Sequence, residues 1–375
     1  MKLGLVHFNH EDRNNLTVWQ DIRKSSWKPN YGDMLVCASV IRQVEGASQG
    51  ARIGFGGVLQ TQVDRAIVRG STYLHEAFDF EAANKTLDSI NAPLAIVGLG
   101  AQSPVMDPTF LDDNEGAKGF IARLNEKSAS ISVRGAFTAE VVERLGGKNI
   151  RITGCPSLFY AMACPVVQVP ELLKMPQRSM GISIHSGLMK NIFCHAPLEA
   201  REKHGKVIAW AIENAANVSI FEQGVLLEYD VADHTLSFEE RRKAAVQVIE
   251  RIGAQELFAP EDLMARMVSV KSIEEWLAKV RDVDAIIGFR FHGNMVALLQ
   301  GKPCYYYTYD SRLKEFCDVY GLPHQDVTGP WVDPVTAMVE YNWDAANKRM
   351  AGLFEEMKTF YAENGFVTMF DRIIV

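Results

Sequence analysis

Short, wholly apolar runs recur along this chain, and each is followed by a longer stretch with apolar residues at helical spacing. Residues 94–98 (LAIVG) are the clearest of these runs, and 283–288 (VDAIIG) is nearly as apolar, interrupted only by Asp284. A segment this short with almost no polar alternation needs both faces buried, the condition of a central strand in a parallel sheet covered by helices. The same pattern predicts strands over 2–8, 51–55, 94–98, 129–133, 150–153, 179–185, 217–221, 255–258, 283–288 and 303–308. Helices are predicted over 34–44, 108–127, 135–145, 197–216, 237–252, 261–280, 293–300, 310–320 and 333–362, with a last apolar segment at 366–375. Regular β–α alternation excludes sandwiches and bundles and leaves parallel sheets with right-handed helical crossovers.

The alternation runs twice. It is interrupted at 165–178 (PVVQVPELLKMPQR), where prolines mark a linker. The expected fold class is therefore α/β, with two Rossmann-like domains whose parallel sheets face a central cleft. The domains are expected at 1–170 and 171–345, with a C-terminal helical tail, 346–375, packing back on the N-terminal domain. A chain of 375 residues suits that division. In such sheets ligands sit beyond the carboxyl ends of the strands, so residues just after each strand are the informative ones.

Composition narrows the partners. A net charge of -7 argues against general nucleic-acid binding, which needs an excess of Lys and Arg, but allows a local basic pocket for a small anion. No stretch has the length and apolarity of a membrane span, and the N-terminal run is too short for a signal peptide and is broken by His7, Asn9 and His10. Cys37, Cys155, Cys164, Cys194, Cys304 and Cys317 form no CxxC pair, so free thiols in a reducing cytoplasm are expected and a metal site is not. His195 beside Cys194 lacks further ligand partners in sequence.

Five groups of residues lie where chemistry is expected. Asn30-Tyr31-Gly32-Asp33 precedes a helix; Asp33 is its expected N-cap, and Gly32 permits close backbone approach. Gly54-Phe55-Gly56-Gly57 and Gly98-Leu99-Gly100-Ala101-Gln102 fall short of a dinucleotide fingerprint and are either tight turns or backbone donors lining a cleft. Arg134 follows an apolar strand and precedes a helix. A cation is unfavourable at a helix N-terminus, and a guanidinium is suited to bidentate binding of carboxylate or phosphate, so a ligand is implied. Arg290 and His292 follow the strand 283–288, two apart and hence expected on one side, with Gly293, Asn294 and a helix N-terminus behind them. Lys314, after Tyr309-Asp310-Ser311-Arg312, lies about one helical turn beyond the strand 303–308, within reach of the same cleft. His185, with Ser186-Gly187 after a strand, is a weaker candidate, and Tyr305, Tyr306 and Tyr307 are expected to fill a strand core.

In that order, Asn30-Tyr31-Gly32-Asp33, Gly98-Leu99-Gly100-Ala101-Gln102, Ser132-Val133-Arg134-Gly135, Gly154-Cys155-Pro156-Ser157, Gly288-Phe289-Arg290-Phe291-His292, Gly301-Lys302-Pro303 and Tyr309-Asp310 to Lys314 resemble the motifs of the polysaccharide pyruvyl transferase family, over about 30–323. The resemblance implies a GT-B-like fold and transfer of pyruvyl from phosphoenolpyruvate to a sugar as a cyclic ketal, with release of phosphate. It implies a catalytic role for His292 and Arg290. It also implies donor binding by Arg134 and Lys314, a cleft completed by Asn30, Gly32, Asp33, Gly100, Gln102, Gly293 and Asn294, and no metal or organic cofactor. The implied partners are phosphoenolpyruvate and a glycan acceptor, nucleotide- or lipid-linked, met in the cytoplasm or at the inner membrane face; homo-oligomerisation is left open. Phe291, where an aliphatic residue is frequent, and Gly135, where an acidic one often follows the arginine, depart from the pattern. Two other functions fit the same chain: a nucleotide-sugar-dependent GT-B glycosyltransferase, with Glu222 or Glu228 holding a ribose, and a non-catalytic relative that binds a glycan or metabolite.

Overall fold

The computed structural model describes residues 1–8 and 30–370. The N-terminal part supplies β1 (Leu3–Val6), α1 (Tyr31–Gln43), β2 (Ala51–Ile53), β3 (Arg65–Arg69), α2 (Phe80–Asp88), β4 (Leu94–Val97), α3 (Glu115–Lys127), β5 (Ile131–Val133), α4 (Ala136–Arg144) and β6 (Ile150–Ile152). β1–β4 form a parallel sheet in the order β2-β1-β3-β4. The parallel pair β5-β6 continues it, because Leu99 bridges to Val133 and Arg134 N donates to Leu99 O at 2.9 Å.

The second part supplies β7 (Ser179–Ser183), α5 (Pro197–Asn214), β8 (Asn217–Phe221), α6 (Leu226–Ala232), α7 (Phe238–Arg251), α8 (Pro260–Met264), β9 (Met267–Val268), α9 (Ile273–Arg281), β10 (Ala285–Gly288), α10 (Phe291–Leu298), β11 (Cys304–Thr308), α11 (Ser311–Tyr320), β12 (His324–Asp326), α12 (Pro334–Val339) and α13 (Trp343–Glu363). Its six strands are all parallel, in the order β12-β11-β10-β7-β8-β9. Two doubly wound parallel sheets thus meet the expected fold class. Their chain order reverses between β1 and β3 in one and between β7 and β10 in the other, the crevices where such sheets take ligands.

The apolar strands are buried throughout: β1, β4 and β10 expose no residue, and Tyr305, Tyr306 and Tyr307 of β11 lie in the core as expected. α13 crosses back over the first part. Arg151 pairs with Glu356 and Glu363, Asn364 Oδ1 accepts from Ala129 N at 3.0 Å, and Tyr361 OH donates to Gln43 at 2.9 Å.

Several boundaries differ from expectation. Residues 255–258 form a turn, and the edge strand lies at β9, inside the helix expected over 261–280. That helix is broken because Ser272 accepts from Glu275 N at 3.0 Å and caps a new one. Asn342 divides the tail into α12 and α13 by capping at Ala345 N, and Asn114 delays α3 to residue 115. β3 was not expected; its arginine ends disguise three apolar residues. The segment expected over 366–375 lies partly outside the described residues.

Candidate active site

A cavity of about 250 Å³ lies between the two parts, at the carboxyl ends of their strands. Arg134, Arg290, Arg312, His292, His185, Gln102, Asn30, Asp33 and Tyr309 are among its walls. Three arginines on one small cavity is the central fact of the site.

Each arginine is held by neighbouring backbone or side-chain groups. Arg134 follows β5; its Nε donates to Gly98 O at 3.1 Å, its guanidinium carbon lies 5.4 Å from the centre of the Phe291 ring, and its Nη2 is buried with no hydrogen-bond partner among the described residues. Phe291, the departure from the family pattern, thus forms a face for Arg134. Arg290 precedes α10 and donates through Nε to Ile184 O at 2.5 Å, while its Nη2 stands 3.3 Å from Glu228 Oε2. Glu228 is fully buried and also accepts from Ser186 N and Oγ, so it orients Arg290 from behind. Arg312, in the first turn of α11, stands 3.8 Å from Asp310, and its buried Nε has no hydrogen-bond partner among the described residues. Buried guanidinium donors left without acceptors are costly unless an anion completes them.

His292 sits in the first turn of α10, not on a strand, because β10 ends at Gly288. It still faces the same cavity as Arg290. Burial and the charge of Arg134 push its imidazole well below its ordinary pKa, against the opposing pull of Asp33, so it is neutral at pH 7. Its Nε2 lies 3.7 Å from Cys155 Sγ, and its Nδ1 faces Gly32, where an added Cβ would fall 2.3 Å away. Gly32 is therefore required by close approach. Gly32→Ala is expected to displace the imidazole and lower turnover by about 100-fold while phosphate affinity, set by the arginines, stays within about twofold. Steady-state kinetics beside calorimetric phosphate binding checks this; wild-type turnover contradicts it.

Asn30, not Asp33, caps α1, accepting from Asp33 N at 3.3 Å. The Asp33 carboxylate turns instead to Arg69 Nη1 at 3.4 Å and accepts from Ser71 Oγ at 3.3 Å. Burial alone would raise its pKa, but the charges of Arg69 and Arg134 outweigh burial and hold it below the usual range.

Gln102 donates to Asp310 Oδ2 at 2.7 Å, and Asp310 Oδ1 caps α11 at Leu313 N, so this amide joins the two parts at the cavity wall. Gly100 lies behind Arg134, where a Cβ would meet its Cδ at 2.9 Å. Gly293 packs on Ser183, and Asn294 is buried below the cavity, accepting from Ser183 Oγ at 2.6 Å and donating to Tyr305 O at 2.8 Å.

Lys314 is not brought to the cavity. Its Nζ donates to Asp318 at 2.6 Å, and it lines a neighbouring depression with His195 and Asp326. Arg312, two residues earlier on α11, points inward instead. Arg69, at the end of β3, was also missed; the strand-end argument that singled out Arg134 applies equally to residues 65–69 (RAIVR).

The buried groups give a pH dependence with a definite sign. Burial lowers His7 to about 4 and His204 to about 3, and holds His185 and His292 well below the ordinary range. Those contributions are fully present above about pH 6.5 and are lost as pH falls toward the folded values. Burial raises Glu222 to about 8 and Glu315 to about 7, which stabilises below the unfolded carboxyl value and is lost as pH rises through 7 and 8. Four histidines outweigh two carboxyls on the acid side. Stability should be greatest near neutrality and fall as pH drops through 6 toward 5. Urea unfolding across this range checks it; stability still rising below pH 6 is the contrary result.

The family model for polysaccharide pyruvyl transferases matches residues 30–311, and the chain belongs to that family. None of the curated proteins matches the chain. Among solved structures, it is similar to UDP-GlcNAc 2-epimerase from Methanocaldococcus jannaschii in complex with UDP-GlcNAc and UDP, at 11% identity over 94% of this chain and 93% of that one, with a TM-score of 0.41. Anabaena HepE in complex with UDP-glucose is similar at 9% identity over 96% and 99%, with a TM-score of 0.47. No helix among the described residues is long and apolar enough to cross a membrane.

Proposed function

We propose that this transferase moves the pyruvyl group of phosphoenolpyruvate onto two hydroxyls of a sugar as a cyclic ketal, releasing inorganic phosphate. The observation that carries the reading is Arg134, Arg290 and Arg312 around His292 in one cavity, with Arg134 Nη2 and Arg312 Nε lacking protein acceptors among the described residues. A substrate with a carboxylate and a phosphate a few bonds apart is what such a set of forks complements. The acceptor is a nucleotide- or lipid-linked glycan met at the inner membrane face.

Burial first, and the charge of Arg134 second, holds the His292 imidazole neutral; the anionic groups of the donor offset that charge and favour uptake of a proton by the imidazole. Imidazolium then protonates the methylene carbon, leaving an oxocarbenium-like centre at the adjacent carbon. A sugar hydroxyl adds there and loses its proton; the carbon–oxygen bond to phosphate breaks, its electrons leaving with phosphate held by the arginines. The second hydroxyl adds to the same carbon, loses its proton and closes the ring. One hydroxyl proton restores His292 and the other leaves on phosphate.

The glycosyltransferase alternative is disfavoured. Glu222 is fully buried, accepts from Tyr31 OH at 2.6 Å and is raised to about 8 by burial, and Glu228 is engaged by Arg290 and Ser186. Neither is placed for a ribose. Incubation with labelled phosphoenolpyruvate and, separately, labelled nucleotide sugars, each with a glycan panel, tests the reading: label entering glycan from phosphoenolpyruvate with equimolar phosphate is expected, and label from a nucleotide sugar overturns it.

A further inference from the structure

A second recess, about 420 Å³, opens beside the arginine cavity and shares Gln102 and Phe193 with it. Its other walls are Glu76, Ala77, Ser103, Pro104, Phe110 and Ile192. It is built from loops of both parts: residues 102–110 follow β4, and 192–193 precede α5. The contrast with its neighbour is chemical. No lysine, arginine or histidine is among its described lining residues, and its one ionisable wall is a carboxylate.

Its aromatic walls are braced. Phe193 meets the edge of His75 at 5.4 Å between ring centres, and its backbone N donates to Asn191 Oδ1 at 3.0 Å. Phe110 stacks on Phe137 at 6.3 Å. Ile192 stands at the rim, 71% exposed. Held rings present flat apolar faces at little ordering cost, while Gln102, Ser103 and Glu76 offer hydrogen-bond partners at the edges.

We infer that this recess is the acceptor subsite and that it takes a neutral pyranose ring, stacked between Phe110 and Phe193 with hydroxyls bonded to Glu76 and Gln102. This rests on the pyruvyl-transfer reading for the identity of the neighbouring substrate, not for the sugar itself. A ring seated here extends past Gln102 into the arginine cavity, where the attacking hydroxyls meet the donor. A phosphorylated or carboxylated sugar would place its anion against Glu76 with no cation to answer it. Any phosphate carrier on the acceptor therefore lies outside the recess.

Saturation-transfer NMR on the full chain tests this, with methyl β-galactoside, methyl β-glucoside and methyl α-mannoside as probes and glucose 6-phosphate and glucuronate as charged controls. Transfer to at least one neutral glycoside is expected, exceeding that to both controls. Phe110→Ala should weaken that glycoside's binding by about 3- to 10-fold. Glu76→Gln, at an exposed position outside the core, should lessen the discrimination against the charged sugars. Calorimetry with phosphoenolpyruvate on the same samples separates the two readings: sugar binding without donor binding removes the pyruvyl reading and leaves the recess. Transfer to no neutral glycoside, or transfer unchanged in both variants, overturns the recess.

Discussion

Replacing His292 by alanine should lower turnover by about 10²- to 10⁴-fold, the scale of a general acid–base, while leaving the fold and donor affinity nearly intact. Its imidazole lines the same cavity as Arg134, Arg290 and Arg312 and is neutral in the free protein. A group that must be protonated to act, and whose pKa lies below its ordinary value, gives kcat/KM that falls about tenfold per pH unit on the alkaline side. The His292→Ala variant should lose that dependence along with its rate. Phosphate release measured from about pH 5 to 8 in both proteins checks this. Wild-type turnover in the variant, or a flat wild-type profile, would remove His292 from the chemistry.

Arg134→Gln and Arg312→Gln should each weaken phosphoenolpyruvate binding by about 10- to 100-fold, since a hydrogen bond to a charged group contributes about 1.5 to 3 kcal/mol. Lys314→Gln should change it by less than about twofold, because its ammonium is paired with Asp318 and lies outside the cavity. Removing a buried guanidinium also relieves self-repulsion in the empty site, so neither arginine variant should melt lower than the loss of its structural bonds dictates. Arg134 gives up the bond to Gly98 O and contact with Phe291, and Arg312 its side-chain bond with Tyr309 and the distant pairing with Asp310. Calorimetric titration of the three variants separates the cases. Equal loss on Arg312→Gln and Lys314→Gln would contradict the assignment.

The fold was legible where periodicity was strong. Uninterrupted apolar runs announce β4 and β10, because a strand covered on both faces tolerates nothing else. β3 was hidden by arginines at both ends, although Ala66, Ile67 and Val68 are fully buried. The short edge strand β9 was masked by helical residues on either side and betrayed only by Ser272 and Glu275 as a cap. At the site, residues just after strands carried most of the information: Arg134 and Arg290 follow from that rule alone. The choice between Arg312 and Lys314 did not. Both lie on α11, and only the direction of the helix relative to the cavity, set by the Asp310 cap and its bond from Gln102, turns one inward and the other toward Asp318. Likewise, the neutrality of His292 is a property of its burial, which no local sequence signal encodes.

The most direct measurement is a crystal soaked in phosphoenolpyruvate. Difference density is expected in the cavity between the two sheets, its anionic groups within hydrogen-bonding distance of Arg134 Nη2 and Arg312 Nε, and its methylene carbon facing the His292 imidazole. Density at another site on the molecule, or a cavity still filled by water at saturating donor, would contradict the proposed chemistry.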